Sequence, residues 1–230
     1  MPDGGHVPDA VPSVPSVPSV PDAAPIEGPI ADERVDLPVT DSRTIHAGYV
    51  FDIVAETVDL GAAGTVHREF MKHPGAVAVV ALDDAERVLL LRQYRHPVRS
   101  YLWEVPAGLL DVADEPLVDA AARELAEEAD LRAGRWDTLV DYYTSPGGSD
   151  EALRIFLARD LGELPDGDRF TREGEEAGIQ LRWVPLADAV AMVMAGDLHN
   201  PSAVAGLLAL QAARATGLSG LRPADAPWVR

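Results

Sequence analysis

Apolar residues follow one another without a break in AVAVVAL (residues 76–82), and such a run, ended by the DD of a turn, predicts a strand covered on both faces. RVLLLRQYRH (87–96) and YLWEVPAGLL (101–110) predict two more strands. Upstream, YVFDIVAETVDL (49–60) and TVHREFMKH (65–73) flank GAAG, which predicts a hairpin whose glycines make the turn and not a phosphate-binding loop. Downstream, WDTLVDYYT (136–144) and ALRIFLARDL (152–161) read as strands joined by SPGGSDE, and IQLRWV (179–184) as another.

The period changes after residue 115. Leu117, Ala121 and Leu125, with Val118, Ala122 and Ala129, recur every three or four residues and predict a helix with one apolar stripe. Pro116 is assigned its first position, where a missing N–H costs nothing, and Asp114 or Glu115 beside it complements the helix dipole. Two further helices are expected: one over residues 186–195, stopped by Gly196, and one from Pro201 to about Thr216, capped by Asn200. Many strands with few, separated helices predict an α/β or α+β domain around a mixed sheet.

At 230 residues, with 47% in the hydrophobic set and 25% charged, the chain suits one globular domain of moderate size, with room for a small appended unit. It has no cysteine, which removes disulfides, thiolate catalysis and cysteine-based zinc sites and fits a reducing cytoplasm. The net charge is −19 and Lys72 is the sole lysine, so nucleic acid is not an expected partner: phosphate backbones need clustered positive charge. The opening MPDGGHVPDAVPS has neither a basic nor an apolar signal region, and no run reaches the roughly 18 apolar residues of a membrane span, so a cytoplasmic protein without membrane attachment is expected. Repeated VPS and VPD units predict a disordered or polyproline-like tail over residues 1–38. His46, His67, His73, His96 and His199 lack HExxH spacing, and neither a P-loop nor a GxGxxG occurs.

The first helix carries RELAEEADL (123–131). Glu124 and Glu128 lie nearly above one another, with Glu127 adjacent to Glu124, at Cβ separations of about 5–6 Å. Like charges there repel by a few tenths of a kcal/mol, which a solvated face tolerates. A divalent cation reverses the sign, because Mg²⁺ takes hard oxygen ligands from carboxylates and substrate phosphate. Arg123 can pair with Glu127 at i+4, or hold a glutamate in place behind a metal.

Residues 108–131, GLLDVADEPLVDAAARELAEEADL, resemble the Nudix box: Gly, five residues, Glu, seven residues, then Arg-Glu-hydrophobic-x-Glu-Glu-x-Gly-hydrophobic. Arg123 to Leu131 fit its second half, with Glu115 seven residues before Arg123. Two departures stand out. Six residues separate Gly108 from Glu115, and Asp130 replaces the second glycine, where the helix ends in a left-handed residue that Asp tolerates better than most. TSPGGSDE and RQYRHPVRSYLWEVPAGLLDVADEP are similar to the ADP-ribose pyrophosphatase branch, its actinobacterial members in particular, over residues 42–228.

That resemblance implies an α/β/α sandwich with a mixed sheet and a small N-terminal antiparallel β subdomain. Its expected divisions are the tail (1–38), a dimerising β subdomain (39–73), the hydrolase domain (74–217) and a C-terminal tail (218–230). It implies a homodimer, whose N-terminal strands help to form the partner's adenosine site. Phe51 would stack on adenine, with a core aromatic as the alternative. Arg68 and Arg95 would contact phosphate or ribose, and Pro146 and Gly147 would line the substrate site. Glu104 would touch the distal ribose or a metal, or else form a buried salt bridge. The implied ligands of Mg²⁺, with Mn²⁺ as alternative, are Glu124, Glu127, Glu128 and the Ala107 carbonyl, with Arg123 supporting them. Glu176 is expected as a further ligand or the base, with Glu175 as its fallback. The implied reaction converts ADP-ribose and water into AMP and ribose 5-phosphate. The rivals are hydrolysis of another nucleoside diphosphate sugar, or an ADP-ribose sensor without catalysis.

Overall fold

The computed structural model describes residues 28–170 and 178–229. They fall into two units that divide between Asp36 and Leu37. In the first unit, residues 28–36 are exposed and carry neither helix nor strand. The VPS repeats expected as a disordered tail lie outside the described residues.

The second unit runs through β1 (Val39–Ala47), β2 (Asp52–Asp59), β3 (Thr65–Lys72), β4 (Ala76–Ala81), β5 (Arg87–Arg95), β6 (Ser100–Glu104), β7 (Ala107–Leu109), α1 (Leu117–Ala129), β8 (Leu131–Tyr143), β9 (Ala152–Glu163), β10 (Gln180–Pro185), α2 (Leu186–Ala195), α3 (Pro201–Arg214) and β11 (Arg222–Pro223). Its central sheet is mixed, in the order β11-β8-β9-β4-β7, with β4 and β9 parallel and the other neighbours antiparallel. A second sheet, β10-β5-β6, and a third, β1-β2-β3, are antiparallel throughout.

Every residue of β4 is buried, as its unbroken apolar run predicts. Alternate side chains explain why. Val77, Val79 and Ala81 join Phe156 and Ala158 against Ala120, Ala121 and Leu125 of α1. Ala76, Ala78 and Val80 join Ile155 and Leu157 against Ala189 of α2 and Ala203, Leu207 and Leu210 of α3. The sheet is thus covered on both faces, giving the expected α/β/α sandwich. α3 comes so close that a Cβ built on Gly206 would lie 2.7 Å from Cγ2 of Val80.

The hairpin around GAAG forms as expected, with Asp59 opposite Thr65. Asn200 caps α3 by accepting the N–H of Ala203 at 2.9 Å, and Gly196 ends α2 in the left-handed region at φ 78°.

Several boundaries differ from the sequence reading. Arg222–Pro223, expected within a C-terminal tail, pair with β8 as β11. β1 was not expected as a strand: all of its residues are exposed, so no buried stripe marks it. YLWEVPAGLL is two strands and not one, because the chain passes from β5 to β4 at Val105–Pro106, where the prolyl carbonyl accepts the N–H of Val79. Pro116 stands one place outside α1, with extended ψ of 141°, instead of at its first helical position. β8 begins at Leu131, five residues before the aromatic stretch that signalled it.

Candidate active site

β7 and α1 build the acidic site between them. Asp130 ends α1 at φ 55°, in the left-handed conformation expected where a glycine would otherwise stand, and its N–H returns to the carbonyls of Leu125 and Ala126. On the helix face turned toward β7, Glu128 is buried, and its Oε2 accepts the main-chain N–H of Ala107 at 2.9 Å. Gly108 follows directly. A Cβ there would fall 1.9–2.4 Å from the carboxyl atoms of Glu124, so the absence of a side chain leaves room for the carboxylate in its present place.

Arg123 collects the remaining acids. It grips Glu115 with two hydrogen bonds, of 3.1 Å from Nε and 3.0 Å from Nη2. Its Nη1 donates to Glu124 at 2.5 Å and lies 3.5 Å from Glu127. The i+4 pairing with Glu127 expected from the sequence is present, and the tighter contacts go to Glu115 and Glu124. Hydrogen bonds from Arg123 hold the Glu115 carboxyl below the usual glutamate range. In return Glu115, with Glu124 behind it, holds the Arg123 guanidinium more firmly protonated, against the opposing effect of burial.

The acids open into a cleft of about 320 Å³, lined also by Gln93, Arg95 and Asp111. Arg95 reaches it from the end of β5 while bound through two nitrogens to Glu104, at 2.9 and 2.6 Å. Glu104 therefore takes the buried salt-bridge alternative, and its side chain is only 1% exposed. Gln93 and Asp111 were missed by sequence reasoning. Gln93 shares a strand face with Arg95 at period two, a signal present in the sequence. Asp111 lies in the lengthened turn before α1, which carries no such pattern.

The other expected substrate residues sit elsewhere in the chain. Arg68, Pro146 and Gly147 line a larger cleft of about 440 Å³ together with Phe70, Tyr143 and Asp150. Phe51 belongs to a third, of about 350 Å³, with Tyr49, Lys72 and His73. Phe51 is 37% exposed in the single chain and belongs to neither core cluster. Glu175 and Glu176 lie outside the described residues.

The donor set suits a hard divalent cation: carboxylate oxygens from successive turns of one helix, without thiolate or imidazole. Among the described residues, no three acidic or histidine side chains already enclose such an ion, and Arg123 engages two of the carboxylates. Ala107 meets Glu128 through its N–H.

Comparison with known proteins gives a NUDIX domain over residues 71–204. The chain is 43% identical to an ADP-ribose pyrophosphatase of Mycobacterium tuberculosis over 194 residues, covering 84% of this chain and 92% of that protein. It is 34% identical to an ADP-ribose pyrophosphatase of Bacillus subtilis, over 73% of this chain and 88% of that one. A crystal structure of an ADP compounds hydrolase shares the fold, with a TM-score of 0.66 at 20% identity, covering 81% of this chain and 99% of its own.

Proposed function

This chain belongs to the NUDIX family of hydrolases, and from that premise we propose that it cleaves the pyrophosphate of ADP-ribose with Mg²⁺, releasing AMP and ribose 5-phosphate in the cytoplasm. The observation that carries the reading is the carboxylate cluster of α1, packed against Gly108 and facing the same cleft as Arg95. The similarity to two ADP-ribose pyrophosphatases supports the choice of substrate. No helix among the described residues is long and apolar enough to cross a membrane.

Glu124, Glu127, Glu128 and the carbonyl of Ala107 would hold the cation, with Glu176 as a further ligand or as the base. Mg²⁺, or Mn²⁺ in its place, supplies charge neutralisation at a diphosphate and lowers the pKa of a bound water. The chain's own groups do the rest. Arg95, aimed by Glu104, binds phosphate, and its fixed charge favours the transition state as negative charge grows on the departing group. Arg123 orients Glu124 through a hydrogen bond and Glu127 through an ion pair. In the role of base, Glu176 would accept the proton of the attacking water.

Phe51 and Arg68 line clefts other than that of the α1 acids, which supports a site completed by a second copy of the chain. The reading therefore includes a homodimer in which residues 39–73 of one protomer complete the site of the other, ahead of a hydrolase domain over residues 74–217. The exposed β1 and the single buried residue of β2 fit such a role.

The test is magnesium-dependent release of AMP from ADP-ribose, compared between wild type, Glu128→Gln and Glu176→Gln. Loss of about 100-fold or more in Glu128→Gln is expected for a ligand of the reacting ion. Binding of ADP-ribose without any AMP release would replace the enzyme with a sensor. Faster turnover of GDP- or UDP-sugars would move the substrate within the class.

A further inference from the structure

The segment after α3 is fastened to the sheet through a buried arginine. Arg154 of β9 stands opposite Asp141 of β8 and donates to both of its carboxylate oxygens, at 2.7 and 2.9 Å. Its Nη1 and Nη2 also donate to the carbonyls of Ala226 and Pro227, each at 2.7 Å. Trp228 covers the group, with the guanidinium carbon 5.0 Å from the ring centre. Arg222 reaches Asp141 from the same segment at 2.8 Å, and Thr138 donates to the carbonyl of Pro223 at 2.9 Å. A charge this deeply buried persists only when its donors are satisfied, so the 222–229 segment is a structural requirement of Arg154.

The last link of the segment leads to a cleft. The Tyr143 hydroxyl donates to the carbonyl of Val229 at 3.1 Å, and Tyr143 lines the cleft that holds Arg68, Pro146 and Gly147. Thr144, next in sequence, closes the base of the following loop by two bonds to Glu151, from its N–H at 3.1 Å and its hydroxyl at 2.6 Å. The loop has little packing of its own, since a Cβ at Gly147 or Gly148 would meet nothing within 4 Å. It is restrained at its ends, by turn bonds from the N–H groups of Gly148 and Ser149 to the Ser145 carbonyl, each 2.9 Å, and by exchange of bonds with Met71 of β3, at 2.9 Å to the Gly148 carbonyl and 3.1 Å from the Asp150 N–H; the Asp150 carboxylate also accepts the His73 N–H at 2.7 Å.

We propose that residues 222–229 form a strap that positions Tyr143 and the loop of residues 145–150, and through them sets the affinity of this cleft for the nucleotide end of the substrate. Arg154 and Trp228 are then positioning residues that line no part of the cleft. The affinity part of the proposal rests on the reading of the protein as an ADP-ribose hydrolase; the mechanical part does not.

Deleting the strap would remove two acceptors and the cover of Arg154 together, so the test uses the milder Trp228→Leu in the full chain, with Trp228→Phe as the conservative variant. Amide hydrogen exchange over residues 143–151 is measured without substrate, and KM and kcat with ADP-ribose. In Trp228→Leu, exchange over the loop rises and KM rises about threefold to tenfold, as expected when side chains and a loop must be ordered by the ligand instead of beforehand. The turnover number stays within about twofold, since no group at the reacting atoms changes, and Trp228→Phe restores both readouts. Unaltered exchange in Trp228→Leu overturns the strap. Faster exchange with unchanged KM overturns its role in affinity. A wild type that does not hydrolyse ADP-ribose overturns the functional reading alone, because exchange is read without substrate.

Discussion

Arg95 holds the carboxylate of Glu104 with two hydrogen bonds, and the two partners differ sharply in exposure: 1% for the Glu104 side chain against 41% for Arg95. The pair is a buried anion aiming a half-exposed cation into the cleft. Glu104→Gln keeps the shape and removes the charge, so Arg95 gains freedom without losing its own chemistry. KM for ADP-ribose is expected to rise about tenfold, the range seen when an orienting partner is lost. Steady-state kinetics with a parallel thermal melt check this. A lower melting temperature with unchanged KM would make the pair purely structural.

Gly108→Ala places a methyl group where the Glu124 carboxyl now lies. The side chain must move, while the apolar bed of α1 stays as it is. An activity loss of about 10- to 100-fold is expected, together with a higher Mg²⁺ concentration for half-maximal rate. Magnesium titration of both proteins measures it; identical titration curves would sink the idea that Glu124 contributes to the ion.

The Asp141 carboxyl is pushed up by burial, but hydrogen bonds from Arg154 and Arg222 outweigh this and hold it below the usual aspartate range. A group bound more weakly to its proton in the folded state stabilises the fold fully above its unfolded pKa, about 3.9 for Asp. That contribution disappears as the pH falls through the lower folded value. Wild type should therefore exceed Asp141→Asn in stability by a constant margin from neutral pH to about pH 5, with the margin closing below about pH 4. Urea melts across this range provide the comparison, and a margin still constant at pH 3 would contradict the charge argument.

Chelation with EDTA should abolish AMP release, and added Mg²⁺ should restore it. The far-ultraviolet circular dichroism should not change, because the core is apolar on both faces of the central sheet and contains no cysteine cluster that a metal could staple. Hydrolysis that continues in EDTA would rule out the cation reading of the α1 carboxylates.

The parts legible in the sequence are those in which one local pattern has one structural meaning. The apolar run of β4, the three-to-four spacing of α1 and the Asn200 and Gly196 signals state their outcomes directly. β1 gave no such signal, since VTDSRTIHA has no buried face in one chain. Of the two alternatives for Glu104, only the tertiary structure could choose, because its partner arrives from the neighbouring strand through the pairing of β5 with β6. The separation of Phe51, Arg68 and Arg95 into three clefts was likewise invisible, being a property of where strands end and not of their residue types. The strap was hidden for the same reason: nothing local to RPADAPWV points to an arginine about seventy residues earlier in the chain.

The position of β9 between β4 and β8 also imposes an order on biosynthesis. α1 rests on Phe156 and Ala158 as well as on Val77 and Val79, and those two residues emerge from the ribosome after the helix has been made. Until they arrive, the helix rests on Val77, Val79, Ala81 and Leu89 alone. A nascent chain that stops before Ala152 therefore carries every residue of the box on an unfinished bed. The bed closes late, when a strand enters the middle of a sheet.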